Sequence, residues 1–202
     1  NHSIRDAVID VTTMSTTKFG ATGFRFLKIE AMDSDIVLKS VMAETDIIEF
    51  EYKGSFECSN ELLNRIWKMG AYTVQLNIHE YVWDGVKRDR LVWVGDMHPE
   101  VAVIKTVFGR IEAVEKSLDF VKDETSPDSW MNYMPAYSMW WIIIHYEWYM
   151  YVGDIDYLRK QEEYLTVLTN NSMKWIDEDF YTNGGYFVDW SSAQTPAAAD
   201  GI

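Results

Sequence analysis

Residues 83–96 read Trp83-Asp84-Gly85-Val86-Lys87-Arg88-Asp89-Arg90-Leu91-Val92-Trp93-Val94-Gly95-Asp96. The stretch holds three Asp, two Arg, one Lys and two Trp in fourteen positions, and it has neither helical nor strand periodicity. Charged groups this close to indole rings are costly to order unless they pair with each other or contact a ligand. The stretch is therefore interpreted either as a surface loop with internal Arg–Asp ion pairs or as a ligand site.

Hydrolysis of a glycosidic bond uses the same kinds of side chain. One carboxyl group protonates the leaving oxygen, a second activates water or attacks the sugar, and aromatic rings seat the pyranose. The composition fits such a ligand, because nine Trp, twelve Tyr and nine Phe make 15% of the chain aromatic and flat rings stack on the C–H faces of sugars. Aromatic residues also serve cores, so composition alone leaves both uses open.

The charge balance excludes several classes of partner. The chain has 18 basic and 32 acidic side chains and a net charge of −14, which repels phosphate backbones and anionic lipids, so we expect neither nucleic acid nor a membrane as partner. The apolar window 134–152 contains His145 and Glu147, which predicts a buried helix rather than a membrane span. Cys58 is the single cysteine, so no internal disulfide is expected, and residues 1–20 lack a signal-peptide pattern. Compartment and oligomeric state stay open.

Strand patterns occupy the first quarter of the chain. Residues 23–30, 36–42 and 47–52 are rich in β-branched and aromatic residues and are separated by polar turns. Three strands do not close a sandwich, so we expect residues 1–53 to be the C-terminal part of a β-sandwich domain.

The periodicity becomes helical after residue 53. Helices are predicted from a cap at Ser59, from Pro99 to Phe108, around residues 111–121, over residues 135–152 up to Gly153, from Asp156 to about Glu178, and from Pro196 after a turn at residues 183–185. In the first helix the predicted apolar face consists of Leu62, Ile66, Met69 and Leu76. Without a fixed repeat, successive helices indicate a toroid over residues 54–202 rather than a solenoid. We expect a truncated protein, because the sequence stops as a helix begins.

Residues 84–96 resemble the signature of bacterial α-L-rhamnosidases, glycoside hydrolase family 78, roughly Asp-x-x-x-Arg-Asp-Glu-Arg-Leu-x-Trp-x-Gly-Asp. Residues 54–59 with 62–67 are similar to the start of that family's helical domain, residues 23–26 to the preceding β-sandwich, and residues 187–190 to a later barrel loop. The resemblance implies a mainly α fold, a partial (α/α)6 barrel preceded by β-strands of a β-sandwich domain. It also implies removal of terminal α-L-rhamnose from glycans or glycosides with inversion, without a metal, redox or nucleotide cofactor.

The resemblance also implies roles for individual residues. Asp89 takes the position of the general acid. Asp84 and Arg88 would hydrogen-bond the rhamnose hydroxyls, Trp93 would form an apolar wall, and Asp96 would complete the polar site. The other positions that the resemblance assigns to substrate contact are Trp130, Asp189 and Trp190, and for each of them a packing role is the alternative.

The chain departs from the family pattern at the acid. It reads Arg88-Asp89-Arg90, so an Asp replaces the usual Glu, and the shorter arm shifts the proton donor by about 1.5 Å. Two flanking arginines also favour the charged form of Asp89. The resemblance places the water-activating Glu beyond residue 202. The chain by itself is therefore expected to hold only the general-acid half of the site and to be inactive.

Two alternatives to a rhamnosidase follow from these departures. One is a non-catalytic carbohydrate-binding protein that retains the aromatic cleft. The other is an (α/α)6 glycosidase of the trehalase or glucoamylase type, which would share the barrel and lack the spacing of residues 84–96.

The remaining aromatic and histidine residues are interpreted as structural. Tyr133 and Tyr137 are predicted to pack near Trp130, and Trp140 and Trp141 to lie in the core of an apolar helix. The histidines have no ligand spacing, so no metal site is predicted.

Overall fold

The computed structural model describes residues 7–20, 22–87 and 89–181. Within this part the regular elements are five helices and one 3-10 turn, and they confirm the predicted mainly α class. The elements are α1 (Glu61–Asn77), α2 (Met97–Val107), α3 (Glu112–Asp123), the 3-10 turn Met131–Tyr133, α4 (Pro135–Val152) and α5 (Ile155–Met173). α1 packs against α2, α2 against α4, and α4 against α5.

The helix ends follow local chemistry. Asn60 caps α1, since its side-chain oxygen accepts the N–H of Leu62 at 3.0 Å, one residue later than the predicted cap. α2 begins at Met97, two residues before the predicted start at Pro99. The first turn tolerates a proline, because the N–H groups of that turn have no acceptor within the helix.

The last two helices have equally clear boundaries. α4 has the predicted bounds, with Pro135 in its first turn and Gly153 ending it at φ +74°. The carboxylate of Asp154 accepts the N–H groups of Asp156 and Tyr157 at the start of α5. α5 ends at Met173, short of the predicted Glu178, and the chain then turns so that Trp175 contacts Trp130.

The core lies around α4. Trp141, Ile144 and Trp148 of this helix are at most 1% exposed. They are joined in the core by Ile104 and Met97 of α2, Val114 and Leu118 of α3, and Leu168 of α5. The indole N–H of Trp141 donates to the carbonyl oxygen of Leu118 at 3.0 Å, so the buried donor is satisfied.

The predicted apolar face of α1 is wrong. Leu62, Ile66 and Met69 are 60%, 57% and 66% exposed. The residues that α1 buries are Asn64, Ala71, Val74 and Gln75. The reason is that small and amide side chains face the described neighbours: the Gln75 amide donates to the carbonyl of Ile48 at 3.0 Å, and the Asn64 amide bonds both the N–H and the carbonyl of Cys58.

The predicted strands 23–30, 36–42 and 47–52 do not form in the described residues, which run here as irregular chain with mostly exposed side chains. The physical reason is that a strand needs ladder partners, and these three segments do not pair with one another. The assignment of residues 1–53 to a β-sandwich domain stays a prediction.

The end of this segment is attached to the helices. The rings of Phe50 and Tyr52 lie 5.6 and 5.1 Å from the ring of Phe108, and the N–H groups of Lys53 and Gly54 donate to the carbonyl of Val107. A Cβ on Gly54 would collide with the backbone of α2, so this close approach requires glycine.

None of the described helices has the length and apolar character needed to cross a bilayer.

Candidate active site

The loop between α1 and α2 carries most of the predicted site residues, and its two ends are anchored in the core. It starts with an antiparallel bridge between Ile78 and Val82, and the N–H of Val82 donates to the buried hydroxyl of Ser117 at 2.8 Å. Val92 and Val94 are buried near its other end. The stretch is therefore a structured insertion between core elements.

Asp84 closes the loop on itself. Its N–H donates to the carbonyl of Leu91 at 3.0 Å, and its Oδ1 accepts the N–H of Leu91 at 3.0 Å. Arg90, with φ +54°, makes the turn that returns the chain to Asp84. The half-buried Asp89 lies in the segment that this closure defines. Arg88, predicted to contact substrate, lies outside the described residues.

Two residues that sequence reasoning missed, Asn77 of α1 and Glu100 of α2, support this loop through hydrogen bonds. Asn77, the last residue of α1, accepts the N–H of Trp83 on its backbone oxygen and the N–H of Val86 on its Oδ1, both at 3.0 Å. Its Nδ2 donates to Oε1 of Glu100 at 3.1 Å. Glu100 is 9% exposed; burial, with the nearby charges of Asp96 and Asp84, raises its pKa to about 8.

A sequence signal for Glu100 existed. In α2 the buried positions Met97, Val101 and Ile104 recur at helical spacing, and Glu100 falls on the same face. An acidic residue on an apolar helix face is a buried carboxyl that needs a partner.

Asp96 lies at the start of α2 and is bonded from α4. The hydroxyl of Tyr137 donates to its Oδ2 at 3.1 Å, and the amino-terminal end of a helix favours a carboxylate. The Tyr137 ring meets Trp93 edge-on, with centroids 6.2 Å apart. Any Cβ on Gly95 would overlap that ring. Tyr137 is buried, as predicted. Its hydroxyl also orients Asp96, a candidate substrate-binding residue.

Asn132 joins the loop to the segment that carries Trp130. Its Oδ1 accepts the N–H of Val94 at 3.0 Å and its Nδ2 donates to the carbonyl of Val92 at 3.1 Å. These bonds hold the backbone on both sides of Trp93. The half-buried Trp130 packs edge-on against Trp175, with centroids 5.3 Å apart.

The predicted packing of Tyr133 is wrong, because its side chain is 94% exposed. Asn132 and Tyr133 both have left-handed backbone angles, with φ of +48° and +65°, and the turn that lets Asn132 reach the loop leaves Tyr133 in solvent. Tyr133 is therefore an exposed ring on the segment that carries Trp130, and the sequence interpretation did not assign it to the site.

Four further residues were singled out from the sequence. Asp189 and Trp190 fall outside the described residues. Trp141 is in the core, whereas Trp140 is half-buried and stacks on His98 with centroids 4.4 Å apart. His98 Nε2 lies 3.2 Å from Oε1 of Glu147. Among the described residues, no group of three His, Cys, Asp or Glu side chains could hold a metal ion.

The arrangement offers hydrogen-bonding groups beside flat apolar surfaces. Asp84, Asp89 and Asp96 belong to one loop, and Asn132 links the Trp93 end of that loop to the turn after Trp130. Carboxylates bind hydroxyl groups and indoles bind C–H faces, so the combination is suited to a neutral sugar.

Comparison with known proteins identifies the family. Residues 51–201 match the family model of the bacterial alpha-L-rhamnosidase 6 hairpin glycosidase domain. An alpha-L-rhamnosidase of Formosa agariphila is 38% identical over 85 residues, which cover 40% of this chain and 8% of that protein.

A solved structure is also similar. The GH78 family rhamnosidase of Bacillus sp. GL1 superposes with a TM-score of 0.63 at 26% identity, covering 74% of this chain and 17% of that one. The chain thus spans less than a fifth of the length of either relative. The likeness confirms the predicted partial six-hairpin barrel. Because the family model matches well over half of the residues, this chain belongs to the bacterial α-L-rhamnosidase family, through its six-hairpin glycosidase domain.

Proposed function

We propose that the protein is an inverting α-L-rhamnosidase and that this chain supplies the general-acid half of its active site. It would release terminal α-L-rhamnose from glycans or glycosides, with one carboxyl group protonating the leaving oxygen and a second activating water. The water-activating carboxyl would come from a segment other than the loop of residues 84–96. Family membership supports the reaction class, and the loop supports the division of roles.

The observation that carries the proposal is that hydrogen bonds hold two carboxylate groups of the loop in place. Asp84 is held by its two bonds to Leu91, and Asp96 by the hydroxyl of Tyr137. A carboxylate has about four acceptor positions, so such bonds orient it and still allow it to accept sugar hydroxyls. Groups that are oriented before the substrate arrives contribute to catalysis without a further ordering cost.

Asp89 is the proposed general acid. It lies in the segment between Asp84 and Leu91, and it is half-buried. A loop closed at its base can hold the shorter Asp arm at the distance where other members use Glu, because the backbone itself sets how far the carboxyl reaches. Trp93 and Trp130 are proposed to contact the apolar faces of the sugar, and Arg88 is proposed to hydrogen-bond its hydroxyl groups. Asp189 and Trp190 are proposed as further substrate-contact residues.

The test compares Asp89→Asn with wild type in the full-length gene product on two substrates. Loss of a general acid should lower kcat by about 10²- to 10⁴-fold on an alkyl rhamnoside. The loss should be much smaller on p-nitrophenyl α-L-rhamnoside, because nitrophenolate leaves without protonation. Asp123→Asn, an exposed aspartate at the end of α3, is the matched control and should retain wild-type rates on both substrates.

Three outcomes would contradict parts of the proposal. Equal turnover of the alkyl rhamnoside by Asp89→Asn and wild type would move the acid to another residue. α-L-Rhamnose as the first anomer seen by ¹H NMR would contradict inversion. Binding of rhamnose by a wild-type protein that turns over neither substrate would support the carbohydrate-binding alternative instead.

A further inference from the structure

Glu100 and Asn77 connect the end of α1, the acidic loop and α2 in one chain of hydrogen bonds. We propose that both are positioning residues of the site: Glu100 orients the Asn77 amide, and Asn77 holds the backbone on both sides of Asp84. This inference rests on the proposed rhamnosidase function for its effect on catalysis, but not for its effect on the loop.

Asn77 is placed to control the position of Asp84. It accepts the N–H of Trp83, the residue before Asp84, and the N–H of Val86, two residues after it, both at 3.0 Å. Asp84 is therefore flanked by two bonds to a single residue at the end of a helix. Because α1 is a rigid element, these bonds transmit its position to the carboxylate.

Glu100 decides which way the Asn77 amide faces. An asparagine amide has a donor side and an acceptor side, and only its oxygen can accept the N–H of Val86. Oε1 of Glu100 accepts the Nδ2 hydrogen at 3.1 Å, which fixes the orientation with the oxygen toward Val86. Without an acceptor at Glu100, a flipped amide would set two N–H donors against each other at Val86.

The surroundings of Glu100 favour its neutral carboxyl over the charged carboxylate. The titratable groups near Glu100 are Asp84 on the loop and Asp96 at the start of α2, and a third negative charge would repel both. Its Oε2 is buried and makes no hydrogen bond to any described residue, so no hydrogen bond from the described part of the chain compensates an ionised carboxylate at that oxygen. Burial together with the two aspartates raises the pKa of Glu100 to about 8, and the neutral carboxyl still accepts from Asn77 through its carbonyl oxygen.

The first measurement is hydrogen exchange over residues 83–91 of the full-length gene product. Glu100→Ala and Asn77→Ala should each speed exchange of the Val86 amide by about tenfold, since its acceptor is lost or reoriented. Glu100→Gln retains a neutral acceptor and should recover most of the protection. Exposed Glu112, which pairs with Lys116 at the start of α3, supplies the control Glu112→Gln, with unchanged exchange.

The second measurement is the pH profile of kcat/KM for p-nitrophenyl α-L-rhamnoside. Glu100→Ala and Asn77→Ala should lower kcat/KM by about 10- to 100-fold at neutral pH, the effect of a misplaced catalytic group. The wild-type profile should fall as the pH rises through about 8, whereas Glu100→Gln should retain its rate there. A merely structural glutamate would not move this alkaline limb.

Two results would overturn the inference. One is Val86 exchange in Glu100→Ala that matches wild type. The other is a Glu100→Gln variant that loses as much activity as Glu100→Ala and keeps the wild-type alkaline limb. If Glu100→Ala does not fold, Glu100→Gln and Asn77→Ala decide the same points. A wild-type protein without rhamnoside turnover would refute the proposed function and leave the exchange experiment as an independent test of the support.

Discussion

Helices α1 and α4 have 17 and 18 residues, and both pack against α2. They nevertheless bury different kinds of side chain. α4 buries large rings and aliphatic side chains, among them Trp141, Ile144 and Trp148. α1 buries amides beside small apolar side chains, while Leu62, Ile66 and Met69 face solvent. α2 therefore contacts large apolar side chains of α4, and it contacts small apolar side chains of α1 together with the Asn77–Glu100 hydrogen bond.

The difference shows how a fold can separate stability from positioning. Apolar packing contributes in proportion to the area buried and has little directional preference. Hydrogen bonds contribute less free energy each and constrain distance and angle. Within the α1–α2 contact, the Asn77–Glu100 hydrogen bond is directional, and Asn77 also bonds the acidic loop.

The largest expected contrast is between one substitution in each helix. Trp141→Ala should lower the free energy of unfolding by about 3–5 kcal/mol, because it leaves a cavity in the core. Ile66→Ala on the exposed face of α1 should cost less than about 1 kcal/mol. Urea denaturation of both variants measures the two values; equal losses would mean that the exposed face of α1 is covered in solution.

The α1–α2 contact should make stability depend on pH through Glu100. Its pKa is about 8 when folded, against an ordinary value of 4.5, so between these values the folded protein retains a proton that the unfolded chain has released. The free energy of unfolding therefore falls as the pH rises from about 4.5 to 8, by up to a few kcal/mol. In Glu100→Gln that decline should be absent, as followed by urea denaturation across this range; its persistence would contradict the assignment.

The α4 core should show the opposite slope through His145. Burial lowers the pKa of His145 to about 4, so between pH 6.5 and 4 the unfolded chain binds a proton that the folded protein does not. Stability is thus lost as the pH falls through this window, by a smaller amount than for Glu100 because the window is narrower. His145→Gln should flatten the acid side of the curve, as followed by urea denaturation between pH 6.5 and 4, and an unchanged slope would contradict the assignment.

The smallest expected effects come from two glycines near α1. Gly54→Ala should cost about 1–3 kcal/mol, because its Cβ would collide with the backbone at Thr106. Gly70 lies within α1, and a Cβ there meets no atom within 4 Å, so Gly70→Ala should stabilise the protein by about 0.5–1 kcal/mol. Thermal denaturation of the two variants measures whether each substitution lowers or raises the melting temperature. A higher melting temperature for Gly54→Ala would show that residues 47–54 pack differently against α2.

Local chemistry predicted much of the helical fold. α4 begins and ends where Pro135 and Gly153 place its boundaries, since the conformational preferences of proline and glycine act on neighbouring residues only. The strands expected in residues 1–53 and the apolar face of α1 were not predictable in this way. Ladder bonds and buried faces depend on partners that lie far away in sequence.

The residues of the candidate site also fall into those that local sequence predicts and those that only the fold reveals. Asp84, Asp89, Trp93 and Asp96 were found from the sequence because they are contiguous and unusual in composition. Asn77, Asn132 and Tyr137 were not, because each contacts the loop from another element. Glu100 was marked only by its place on the apolar face of α2. Nothing in their own neighbourhood in the sequence marks an asparagine as a support rather than a surface residue.

The sequence by itself determined where most helices begin and end, which loop carries the acidic and aromatic residues, and the family to which they point. Only the tertiary structure decided which helix faces are covered, how the loop closes, and that the buried Glu100 bonds the residue that supports the loop. The physical reason is the distance along the sequence over which each effect acts. Backbone preferences and composition act within a few residues, whereas burial, hydrogen-bond partners and shifted pKa values arise from groups that folding brings together.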